Sequence, residues 1–189
     1  MTHGAALRRP PETEEVEGRK IHVIQGHFVV SDEDDVLLTT ILGSCVAACF
    51  RDPVAGVGGM NHFLLPGDGE TEGLRYGVQS MELLVNGLLR RGARRERIEA
   101  KLFGGARLID GLTDVGSQNA DFAERFLRDE GIQNLGGSLR GDHARRVQFW
   151  PVAGRARQIR LEAGGISIFS QERVRKPPPE PDSGGLELF

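Results

Sequence analysis

The chain has 189 residues, enough for one domain with a real core and too few to expect two. Its composition is 39% hydrophobic and 27% charged, ordinary for a soluble protein, and a net charge of -3 leaves no basic footprint for nucleic acid. There is no apolar run long enough to cross a bilayer and no secretory leader pattern, so the expected location is the cytoplasm, without membrane insertion.

Residues 1–19 are polar, carry a proline pair and show no periodicity, so they read as a flexible tail. Residues 173–189, proline-rich and then glycine-rich, read the same way. The domain is therefore expected over 20–172. I-H-V-I-Q-G-H-F-V-V, at 21–30, is β-branched and alternates loosely, which fits one strand or two. V-L-L-T-T-I-L and C-V-A-A-C-F follow as strands. D-P-V-A-G then turns the chain, and V-G-G-M-N-H-F-L-L returns it.

The segment 76–92 is the strongest helix. Val78, Met81, Leu84, Val85, Leu88 and Leu89 recur with a 3.6-residue period and Gly92 ends it. I-E-A-K-L-F is a strand closed by Gly104-Gly105. A second helix fits 117–130, with Ser117 as N-cap and Gly131 just past its end. Three further strands surround the glycines near the end of the core. Strands on either side of two main helices predict an α/β domain of the α+β layered-sandwich type, with a mixed β-sheet and a Cys/His hairpin.

That hairpin holds both cysteines of the chain, Cys45 and Cys49, and ends on His62. Cysteines four residues apart on a strand are poorly placed for a disulfide. Four readings of L-G-S-C-V-A-A-C-F-R-D-P-V-A-G-V-G-G-M-N-H remain open from the residues alone. It is a buried hairpin whose cysteines pack. It is a zinc site built from Cys45, Cys49 and His62, which lacks a fourth ligand. It is a Cys-x5-Arg phosphate loop using Cys45 and Arg51, although an extended strand would hold the two roughly 20 Å apart. Or it is an acyl-transfer site, with Cys45 as nucleophile and His62 as base. In that last reading Gly43 and Ser44 permit a turn that aims backbone N–H groups at an oxyanion. Thr39, Thr40 or Asn61 would then orient the imidazole.

The same stretch closely resembles the signature of the chemoreceptor glutamine deamidase family (CheD) of bacterial chemotaxis. The resemblance continues through M-E-L-L-V-N-G-L-L-R-R-G-A, E-A-K-L-F-G-G-A and A-R-R-V-Q-F-W-P-V-A-G-R, roughly 20–165. It implies a protein-glutamine glutaminase with a Cys-His-Thr site, carried here by Cys45, His62 and Thr39, with Thr40 the adjacent competitor. It implies an oxyanion site at the Ser44 and Cys45 amides, no metal and no cofactor. The implied partners are the cytoplasmic domains of methyl-accepting chemoreceptors and, in some bacteria, a CheC-type phosphatase. Gln118 departs from the family's usual Arg, and 138–143 from its usual tighter turn.

Overall fold

The computed structural model describes residues 18–65, 70–108 and 114–161. The tails expected at 1–19 and 173–189 lie outside the described residues, except Gly18 and Arg19, as does the end of the expected domain after Leu161.

Arg19 opens the first strand, β1 (Arg19–His22), which runs parallel to β3 (Val36–Leu42). The doubtful 21–30 stretch is two strands, because a turn at Gln25-Gly26 separates β1 from β2 (Phe28–Ser31). The hairpin strands are β4 (Val46–Asp52) and β5 (Val57–Asn61), antiparallel with Asp52 opposite Val57. After α1 (Glu70–Leu89) and one 3-10 turn come β6 (Glu99–Gly104), α2 (Val115–Asp129), β7 (Gln133–Leu139), β8 (Arg145–Trp150) and β9 (Arg155–Arg160).

The expected α+β class is present, with its strands divided between two sheets. One has the order β1-β3-β8-β9 and the other β2-β5-β4-β6-β7. Each sheet contains one parallel pair, β1 with β3 and β6 with β7. The five-stranded sheet is the middle layer. Val46, Ala48 and Phe50 of β4 pack toward Met81, Leu84 and Leu88 of α1 and Phe122 and Phe126 of α2. Ala47 and Cys49, alternating with them, pack toward Val36, Leu38 and Leu42 of β3 and Val147 and Phe149 of β8. A strand buried on both faces needs small apolar residues throughout, and V-A-A-C-F supplies them.

The hairpin turn is fixed by Asp52, whose side chain is fully buried. It accepts from the backbone N–H groups of Val54, Ala55 and Arg94 and from Nε and Nη2 of Arg97 at 2.9 and 2.7 Å. Burial alone would raise this carboxyl; Arg97 and the three N–H groups overcome it and hold the carboxyl down at about 2.

Both helices differ from expectation at an end. α1 begins before the periodic stretch, and Val78 is 44% exposed rather than in the core. The N-cap of α2 is Asp114, not Ser117: its carboxylate accepts from the Ser117 N–H at 2.9 Å, which makes Ser117 the third helical residue. Gly131 does close α2. At φ +65° it takes the left-handed conformation, and Ile132 N–H reaches back to Leu127 O.

Candidate active site

Cys45 lies in the short link between β3 and β4, and His62 directly follows β5. An isolated antiparallel bridge joins Val46 to Phe63, with both backbone hydrogen bonds at 2.9 Å. Val46 and Phe63 point into the helix-side core. Their neighbours Cys45 and His62 therefore share the opposite face, toward the four-stranded sheet, as diagonal partners roughly 7 Å apart. Thus one bridge brings two residues 17 positions apart onto the same face.

The conformation of the Cys45 link is set from behind. The carbonyl of Gly43 accepts from Ala106 N–H, that of Ser44 from Asn119 Nδ2, and that of Cys45 from Gly105 N–H, at 2.8, 2.9 and 2.8 Å. Gly104, at φ +108°, passes so close that a Cβ there would overlap the Cys45 carbonyl oxygen. All described peptides are trans, so each N–H points opposite the carbonyl of its own peptide plane. The amides of Ser44 and Cys45 therefore face away from β6 and α2. Among the described residues, the Ser44 N–H has no acceptor.

His62 is 2% exposed. Its Nδ1 stands 2.9 Å from Thr40 Oγ1 and 3.3 Å from the Val23 carbonyl. Thr40 Oγ1 itself donates to Val23 O at 2.8 Å. A hydroxyl has one proton, and a carbonyl has none to give. Both neighbours of Nδ1 are therefore acceptors, which assigns the proton to Nδ1 and leaves the lone pair on Nε2. Nε2 is buried and has no hydrogen-bond partner among the described residues. Burial lowers the imidazole to about 4, against a smaller opposing effect of the Val23 carbonyl, so it is neutral at pH 7.

Thr39, implied by the family resemblance, does not contact the imidazole. Its hydroxyl donates to Val147 O of β8 at 2.8 Å. Successive strand residues point to opposite faces; Leu38, Thr40 and Leu42 face the middle layer, and Thr39 faces away from it. The adjacent competitor, Thr40, makes the contact. Asn61 is not near the imidazole either: Oδ1 accepts from Ala48 N–H and Nδ2 reaches Ser80 and Met81.

The remaining readings of the hairpin separate in the same way. Cys49 is 1% exposed in the inter-sheet core, where burial raises its thiol far above the ordinary range. Arg51 sits at the far end of β4 and pairs with Glu99 at 3.6 Å. Among the described residues, no three His, Cys, Asp or Glu side chains are grouped to hold a metal.

The CheD chemotactic sensory transduction family matches residues 64–160. A Caulobacter vibrioides protein is 58% identical over 90% of this chain and 93% of its own length. One from Acidiphilium cryptum is 56% identical over 90% of this chain and 94% of its own. One from Rhizobium leguminosarum is 51% identical over the full length of both. The chain belongs to the CheD family. All three relatives carry the name probable chemoreceptor glutamine deamidase. A solved Neisseria meningitidis protein of family DUF152 superposes with a TM-score of 0.45 at 13% identity, covering 68% of this chain and 66% of that one.

Three neighbours of this candidate site were missed in the sequence. Asn119 is fully buried and bridges both halves of the site: Oδ1 accepts from Leu65 N–H at 2.8 Å and Nδ2 donates to Ser44 O. A polar residue on the apolar stripe of α2, beside Ala120, Phe122 and Ala123, was the available signal. Gln118, the departure next to it, is exposed. Gln25 and Tyr76 left no such signal. Gln25 Oε1 accepts from Cys45 Sγ at 3.6 Å. The Tyr76 phenol is raised mainly by burial and secondarily by the charge of Cys45.

The buried neutral imidazole has a consequence for folding. Its folded value of about 4 is below the unfolded value of 6.5, so only the unfolded state takes up the proton between them. Stability from this group is complete above pH 6.5 and is lost as pH falls toward 4. At pH 5 the loss amounts to about 2 kcal/mol. Denaturant unfolding at pH 7 and pH 5 should show that much more loss for the parent than for His62→Gln.

Proposed function

We propose that this chain hydrolyses glutamine side chains on methyl-accepting chemoreceptors to glutamate, releasing ammonia, by a thiol mechanism centred on Cys45 and His62. The observation that supports it best is the tautomer of His62: Thr40 and Val23 hold the proton on Nδ1 and leave a buried lone pair on Nε2, on the face that carries Cys45. The family and the printed names of the relatives support the substrate class.

In this reading Nε2 takes the Cys45 proton as the sulfur attacks the δ-carbonyl of the substrate. The tetrahedral oxyanion meets the Ser44 and Cys45 N–H groups, which the fixed carbonyls behind them hold in place. The imidazolium returns its proton to the departing nitrogen, ammonia leaves, and a thioester remains. Water, deprotonated by the same Nε2, then cleaves the thioester to the carboxylic acid and restores the thiol. Thr40 orients the imidazole throughout. The chemistry requires no cofactor, and a receptor substrate whose signalling end lies in the cytoplasm places the enzyme there. No helix among the described residues is long and apolar enough to cross a membrane.

Mass spectrometry of a receptor co-expressed with this chain tests the proposal. Specific glutamines should gain the mass of an NH2-to-OH exchange. A receptor left unchanged, with no ammonia released, would sink it. The orienting residue has its own test: Thr40→Val should lower kcat on the order of 10²-fold. Thr39→Val, which loses only a bond to β8, should change it by less than about 3-fold.

A further inference from the structure

We propose that the Gln25 carboxamide is a resident placeholder in the position that a substrate glutamine must take, and that it sets the access of substrate to Cys45. The proposal rests on the deamidase reading for the identity of the substrate and goes beyond it in naming what occupies the site at rest.

The placement of Gln25 is enforced by the backbone. Ile24 to His27 form a tight turn, with His27 N–H donating to Ile24 O at 3.1 Å and Gly26 at φ +82° in the left-handed region, as a type II turn requires. The turn is bonded to His62 on both sides: Gly26 N–H donates to His62 O at 2.7 Å, and His62 N–H to His27 O at 3.1 Å. Tyr76 closes over it, since a Cβ on Gly26 would come 3.3 Å from the phenol oxygen. The residue that carries the carboxamide is thus locked to the backbone of the proposed base, while its side chain remains exposed and free to rotate away.

The chemistry of the contact is specific. Gln25 presents the same functional group as a glutamine substrate, and presents it to the proposed nucleophile. Sγ meets the amide oxygen, at 3.6 Å, and donates its proton there. Attack needs the sulfur on the carbonyl carbon, with the oxygen turned toward the backbone N–H groups. The observed pose is therefore hydrogen-bonded and unreactive, so the placeholder is not consumed. His62 is 2% exposed, so the open side of the pair is at Cys45, and Gln25 stands there. An incoming glutamine has to displace the weak S–H···O bond to Gln25 and its exposed side chain. That is a modest barrier, suited to setting KM rather than to blocking the enzyme.

Gln25→Ala in the full chain tests this with two readouts. The alkylation rate of Cys45 by iodoacetamide, a small carboxamide, should rise about 3-fold or more. KM for receptor should fall by a similar factor with kcat unchanged. Cys49 does not interfere, being 1% exposed. Gln25→Glu keeps the shape and adds a negative charge beside the sulfur, and should alkylate more slowly than the parent. An unchanged alkylation rate in Gln25→Ala overturns the proposal, as does a raised KM or lowered kcat, which would make Gln25 a substrate-positioning group. Conversion of Gln25 itself to glutamate on incubation would also overturn it, by showing a reactive pose. The deamidase reading fails separately: no receptor glutamine changes mass with either protein, whatever the alkylation rates.

Discussion

Cys45→Ala should reduce ammonia release from chemoreceptor to background, a loss on the order of 10⁵-fold or more, whereas Cys49→Ala should leave it within about 3-fold of the parent. The asymmetry follows from where each sulfur lies. Cys45 is half-buried, on the face it shares with His62, and in contact with Gln25. Cys49 is enclosed in the inter-sheet core, where no substrate reaches and burial opposes ionisation. Truncating Cys49 leaves a small cavity and costs some stability, which lowers the yield of folded protein before it lowers turnover. Rates measured per folded molecule keep the two effects apart. Equal loss in both variants would return the pair to a shared structural or metal role. His62→Ala should match Cys45→Ala, because residues that act as a unit lose nearly everything when either is removed.

Asn119→Leu is the largest expected stability effect. The substitution keeps the approximate volume of the fully buried Asn119 but leaves the partly buried Ser44 carbonyl and Leu65 N–H without their partner. Each unsatisfied buried group costs about 1–3 kcal/mol, so the total expected loss is on the order of 3 kcal/mol. Denaturant titration reads this as a lowered midpoint at unchanged slope. Activity per folded molecule should fall as well, since the Ser44 peptide that Asn119 holds also carries the Cys45 N–H. Asn119→Asp is the informative companion. It can still accept from Leu65 N–H, but it sets a second oxygen against the Ser44 carbonyl, and so should damage the Cys45 side of the site more than the His62 side. A stability unchanged by Asn119→Leu would remove the bridge from the account.

Much of this was legible in the residues. Strand-length apolar runs, the D-P-V-A-G turn and the 3.6-residue period of α1 gave the elements, because those signals depend on local geometry alone. Helix starts were less legible. Asp114 caps α2 although Ser117 is an equally good capping residue, and only the direction of the preceding chain selects between them. Val78 fits the helical period yet is exposed, because period describes a stripe and not its width.

The residues alone established which groups are present: two thiols and one imidazole on either side of a hairpin turn, with two adjacent threonines upstream. They did not determine which threonine, because counting residues cannot tell one face of a strand from the other. The pleat of β3 decides that, turning Thr40 to His62 and Thr39 to Val147. Nor could they place Asn119, a polar residue on an apolar stripe, or Gln25 at the site, since these lie 74 positions after Cys45 and 20 before it in the chain. They reach the site only through the packing of α2 behind the link and the closure of the Ile24–His27 turn over His62. Such contacts are set by the stacking of layers, which no local pattern encodes.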